Sequence, residues 1–172
     1  RSEATITSPD PNRAPSLRFM LGHPAHIIAL GGGLGLARFA PGTFGTLLGF
    51  PLGWLLARGL SPEVSMVVLL AAFLLGVWAC GETGRALGVA DHGAMVWDEV
   101  VAFALVIFFT PVHWLWQIGA FALFRFFDIV KPPPIRYFDR ALKNGFGVMF
   151  DDLIAAAYAI AALVACRAAL GA

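Results

Sequence analysis

The chain has 172 residues, enough for one domain with a real core, and is 59% hydrophobic but only 13% charged. Soluble domains carry about 25% charged residues, so this composition and a mean hydropathy of +0.77 describe a chain that lives in or against a bilayer. The net charge of +1 says little about nucleic acid, but no basic, aromatic-interleaved patch suggests it, and none is expected as a partner.

In chain order, residues 1–21 carry prolines and scattered charges but no apolar h-region, and read as a flexible N-terminal segment rather than a secretory signal. Residues 22–172 read as a single domain with no internal repeat or linker. "GGGLGLARFAPGTFGT" looks like a phosphate loop, but no strand precedes it and the G-K-[ST] ending is missing. Thr43 in it could cap the following helix, or leave its amides to an anion. The first apolar block, 44–57, places Gly45, Gly49 and Gly53 on one helical face, where another helix can approach closely, and contains Pro51.

The second block is 64–79 and the last is 153–166, both short of the about 20 residues of a full span unless their flanks join the helix. Between them, block 100–124 is interrupted by Thr110-Pro111, which predicts a helical hairpin turning near Pro111. A hairpin returns to its starting side, so Asp98 and Glu99 are expected near Arg125 and Asp128. The fold class expected is all-α: a compact helical bundle, membrane-embedded or membrane-associated, with the hairpin at about 98–128. Cys80 and Cys166 sit in apolar sequence without metal-ligand spacing and read as inert thiols.

Between Asp91 and Asp152 the ionisable residues form three clusters, each where an apolar helix begins or ends. The first holds Asp91, His92, Asp98 and Glu99. The second holds Arg125, Asp128, Lys131, Arg136, Asp139 and Arg140 around the run Pro132–Pro133–Pro134. The third is Asp151 and Asp152, with no basic residue nearby in sequence. Arg125, Asp128 and Lys131 recur every three residues and are expected on one helix face. Asp139 can pair with Arg136 or Lys143, as an ordinary surface residue would.

Several carboxylates at one membrane edge suit a hard divalent cation such as Mg²⁺, and neighbouring Lys and Arg suit phosphate oxygens. A C-x5-R thiolate, a D-x-D nucleophile, a P-S-G-H motif and a G-x-S-x-G elbow are all missing. Metal-assisted attack of water on a phosphate is the chemistry that remains. A small membrane transporter or ion-pathway component using the same carboxylates is the alternative from another class. The basic residues of 125–152 place that end of the bundle in the cytoplasm by the positive-inside rule.

"HPAHIIA" (23–29), "APGTFGTL" (40–47), "DHGAMVWDEVV" (91–101), "FRFFDIVKPPPIRYFDR" (124–140) and "NGFGVMFDDLIAA" (144–156) together resemble the phosphatidylglycerophosphatase A family. The resemblance implies a Mg²⁺-dependent lipid phosphatase of the bacterial inner membrane. It would act on the terminal phosphomonoester of phosphatidylglycerophosphate to give phosphatidylglycerol. Its motifs align with Asp98 and Glu99, with Asp128 and Lys131, and with Asp151 and Asp152. On this reading Glu99, Asp128, Asp151 and Asp152 hold Mg²⁺, and Asp98 is a further ligand or an orienting partner. Lys131, Arg136 and Arg125 bind the substrate phosphate. His92 is either a proton donor or a structural histidine of a turn, and His23 and His26 are structural. The partners expected are a phospholipid substrate and the bilayer; no feature sets an oligomeric state.

Overall fold

The computed structural model describes residues 14–171, and all regular structure among them is helical. The elements are α1 (Leu17–Leu21), α2 (Pro24–Ala29), a 3₁₀ segment (Gly31–Leu36), α3 (Pro41–Gly59), α4 (Pro62–Leu87), α5 (Trp97–Phe109), α6 (Trp114–Val130), α7 (Ile135–Ala141) and α8 (Gly145–Leu170). The expected all-α bundle is the architecture found. Of the N-terminal segment read as flexible, residues 1–13 lie outside the described residues. Leu17–Leu21 is a short helix capped by the Ser16 hydroxyl, and it buries Met20.

Each helix start has a local cause. The Ser61 side chain accepts from Val64 N–H and Pro62 occupies the first turn of α4. The Asn144 side chain accepts from Gly147 N–H at the head of α8. Asp151 and Asp152 therefore lie in the second turn of α8 and are not its cap. Thr43 does not cap α3; Ala40 occupies the cap position, in a left-handed conformation (φ 45°) and without a side-chain bond, with Pro41 next.

α4 and α8 absorb the polar flanks of their apolar blocks and reach 26 residues each, about 39 Å at 1.5 Å per residue. Both are long and apolar enough to cross a membrane. The predicted hairpin is present: α5 and α6, of 13 and 17 residues, turn at Thr110–His113. The Thr110 hydroxyl donates to the Val106 carbonyl, and Gln117 Nε2 donates to the Pro111 carbonyl, which pins the turn.

α3 lies along α5, and α8 packs against α4, α5, α6 and α7. The glycine face of α3 makes the first of these contacts possible. A Cβ on Gly49 would stand 3.0 Å from Phe103 Cβ, and one on Gly53 2.6 Å from Ile107 Cβ. α8 presents Ala155, Ala156 and Ala159, all fully buried, to Phe103 and Phe124 of the hairpin. The interior thus uses small residues where helices cross. Large apolar side chains such as Val67, Leu70, Leu74, Leu55, Ile118 and Ile129 stay exposed on the outside. That inverted distribution is what a lipid-facing surface requires.

Candidate active site

The first turn of α5, the last turn of α6 and the second turn of α8 meet at one end of the bundle. They carry Asp98 and Glu99, Asp128, and Asp151 and Asp152 there, with Lys131 just after α6 and Asp139 on α7 beside them. Arg125 Nη1, on α6, donates to Glu99 Oε1 at 3.0 Å, to Asp128 Oδ2 at 2.6 Å and to Thr46 Oγ1 of α3 at 3.4 Å. The hairpin thus joins its two ends as the sequence predicts. Among the described residues, every protein hydrogen bond of Arg125 runs through Nη1. Nη2 and Nε keep their donors for another acceptor.

Lys131 departs from its expected position. It does not continue the α6 face but ends the helix in the left-handed region (φ 46°), its N–H bonded to the Phe127 carbonyl. That conformation is costly for a residue with a Cβ. It turns the ammonium toward α7 and α8, where Nζ donates to Asp139 Oδ1 at 2.9 Å and to Asp151 Oδ2. Two expectations change here. Asp151 has a basic partner, supplied from twenty residues upstream. Asp139 pairs with Lys131, not with Arg136 or Lys143. Burial alone would lower the Lys131 pKa, but Asp151 and Asp139 outweigh it and hold it raised. Burial pushes Asp139 up, but its hydrogen bond and charge interaction with Lys131 leave it lowered.

Asp98, Asp151 and Asp152 are 7%, 3% and 3% exposed, so all three carboxylates are withdrawn from water. Asp98 Oδ1, Glu99 Oε2 and Asp152 Oδ2 are buried without any hydrogen-bond partner. Three orphaned carboxylate oxygens in one helical-end cluster are costly unless something positive meets them. Oxygen-only donors match a hard cation such as Mg²⁺. Among the described residues, no three His, Cys, Asp or Glu side chains stand in positions to hold a metal ion as they are.

The remaining expected residues lie at the margin. Arg136 Nη2 donates to the Val130 carbonyl and covers the α6 terminus, with its side chain exposed. His92 Nδ1 accepts from Ala94 N–H within the turn before α5. His23 caps α2, and His26 Nδ1 is 3.0 Å from Thr83 Oγ1 in a buried contact. Two contributors went unread. Thr46 touches Arg125, and Gly42 lies so close to Glu99 that a Cβ there would overlap Oε1. The spacing 42, 45, 49, 53 extends the glycine stripe by one turn and carried that signal.

The phosphatidylglycerophosphatase A description matches residues 27–167. The chain belongs to the phosphatidylglycerophosphatase A family. A protein of that name from Haemophilus influenzae is 48% identical over 147 residues, which cover 85% of this chain and 90% of the relative. One from Escherichia coli K12 is 37% identical over 139 residues, 80% of each chain. A protein of Bacteroides thetaiotaomicron, provisionally named a phosphatidylinositol-3-phosphatase, is 35% identical over 153 residues, 84% of this chain and 94% of the relative. No solved structure matches the chain. The chain is therefore an enzyme, a phosphoric monoester hydrolase, and not a transporter component. Its two long apolar helices associate it with a membrane.

Proposed function

We propose that this enzyme is a Mg²⁺-dependent lipid phosphatase that removes the terminal phosphate of phosphatidylglycerophosphate, releasing phosphatidylglycerol at the cytoplasmic face of a bacterial inner membrane. The names of the Haemophilus and Escherichia relatives support the substrate. The single observation that carries the metal is the pair of buried, unpartnered carboxylate oxygens on Glu99 and Asp152, with a third on Asp98 left for the attacking water.

In this reading Glu99, Asp128 and Asp152 hold Mg²⁺, with Asp151 beside them but engaged by Lys131. When bound, Mg²⁺ supplies Lewis-acid polarisation of a phosphoryl oxygen. The protein residues do the rest. Arg125 offers Nη2 and Nε to the phosphate while Nη1 stays anchored on Glu99 and Asp128. Lys131 has a third N–H donor beyond its two carboxylate bonds and adds a point charge. Arg136, at the rim, meets the phosphate as it enters. Asp98 orients the attacking water and accepts its proton. The acyl chains stay in the bilayer, because the site lies at the end of the bundle and the apolar surface runs away from it.

The cytoplasmic assignment follows from charge. Arg85, Arg125, Lys131, Arg136, Arg140 and Lys143 lie at the site end, against Arg58 and Arg167 at the other. The test is phosphate release from phosphatidylglycerophosphate by detergent-solubilised protein, with Mg²⁺ and with EDTA. Release with Mg²⁺, abolished by EDTA and restored by adding Mg²⁺ back, is expected. Equal release in EDTA would remove the metal, and no release by folded protein would remove the phosphatase reading.

A further inference from the structure

The "APGTFGT" motif has no role in the mechanism above, yet its helix forms one wall of the site. The first two turns of α3 face Glu99. A Cβ on Gly42 would overlap Glu99 Oε1, and one on Gly45 would stand 3.0 Å from Oε2 and 2.8 Å from Val96 Cβ. Both carboxylate oxygens of Glu99 are thus bounded by α3 backbone, with no side chain between. The Thr46 hydroxyl donates to the Gly42 carbonyl at 2.9 Å, fixing the same turn, and its oxygen lies 3.4 Å from Arg125 Nη1. Glu99 Oε1 is in turn held by Arg125.

Further along α3 the glycines meet only apolar groups and backbone of α5. Gly49 faces Phe103, and Gly53 faces Ile107. One stripe therefore has two parts, a packing part deep in the bundle and a part that touches a charged site residue. The packing part needs glycine for helix–helix approach. The upper part needs it because the carboxylate occupies the volume a methyl group would take.

We propose that Gly42 is a positioning residue for catalysis: by lacking a side chain it sets where the Glu99 carboxylate stands, and with it the Arg125 guanidinium that Glu99 holds. The proposal rests on the reading of Glu99 as a residue of the phosphatase site. A methyl group at position 42 forces the carboxylate away from α3. Shortening the acid by one methylene returns the space.

The experiment compares G42A, E99D, the double variant G42A/E99D, E99Q and the packing control G49A. It uses full-length protein in detergent, with kcat, KM and thermal unfolding measured for each. G42A is expected to lower kcat about 100-fold, the scale of a misplacement near 1 Å, with KM little changed. Adding G42A to E99D is expected to cost no further rate, so the two substitutions are strongly non-additive. G49A is expected to lower the unfolding temperature and leave kcat unchanged. If G42A alone does not fold, the double variant measured against E99D reads the same coupling. G42A at the wild-type rate, or a loss from G42A that is equal in the wild-type and E99D backgrounds, would overturn the proposal. E99Q at the wild-type rate would instead overturn the site reading beneath it, and the proposal with it.

Discussion

A buried carboxylate with a lysine partner and one without respond in opposite ways to losing their charge. Asp151 is bonded to Lys131, whereas Asp152 Oδ2 has no partner. D151N leaves a partly buried ammonium without one of its two counter-charges and is expected to destabilise the metal-free protein by about 1–3 kcal/mol. D152N removes a buried unpaired charge and is expected to leave metal-free stability unchanged or raised, while phosphate release falls about 100-fold or more. Thermal unfolding in detergent with EDTA, paired with the release assay, checks both. The Lys131–Asp139 pair has its own pH window. Asp139, with its pKa lowered, contributes stability above the ordinary carboxylate pKa of about 3.9, and this is lost as pH falls through its folded value. Lys131, with its pKa raised, contributes below the ordinary lysine pKa of about 10.4, and this is lost as pH rises through its folded value. The pair is intact throughout the neutral range. At about pH 10 an amine-reactive acylating reagent is expected to modify Lys143 faster than Lys131, read by mass spectrometry of the digested protein.

At the scale of elements, the α3–α5 seam is the tightest test of the fold. G53L inserts a branched side chain where even a Cβ lies 2.6 Å from Ile107 Cβ, and is expected to cost at least about 1–3 kcal/mol in thermal unfolding. The hairpin and this seam were both legible in the sequence, for physical reasons that act locally. Pro111 biases Thr110 before it to extended backbone by local sterics, and glycines at helical spacing read as a groove without knowledge of the partner. The Asp98–Glu99 to Arg125–Asp128 encounter followed, because a hairpin must return. The ends of α4 and α8 were not legible, because the polar and glycine-rich flanks are helical only when neighbouring helices cover them. The Lys131–Asp151 bond was not legible either. It depends on a left-handed backbone at a lysine, which local preference opposes and tertiary contacts enforce. Asp139 looked like a surface residue for the same reason, and Gly42 was hidden because its neighbour is a carboxylate from 57 positions later in the chain.

The whole molecule is a bundle with an apolar exterior and one charged end. α4 and α8, about 39 Å long, are each long enough to cross a bilayer whose hydrocarbon core is about 30 Å thick, and the proposed orientation puts the charged end in the cytoplasm. In a C166S background, which leaves only the buried Cys80, K143C is expected to react with a membrane-impermeant maleimide only after cells are opened. E63C is expected to react from outside in spheroplasts. The reverse pattern would place the site on the outer face.

The bond between Lys131 and Asp151 also orders events in time. The hairpin and α7 precede α8 in the chain, so Asp139 is synthesised before Asp151 as a partner for Lys131. Asp151 and Asp152 arrive last. A nascent chain halted before α8 has one complete ion-pair cluster and no closed site. In the proposed mechanism, which needs Asp152, hydrolytic competence therefore begins only when the final helix seats.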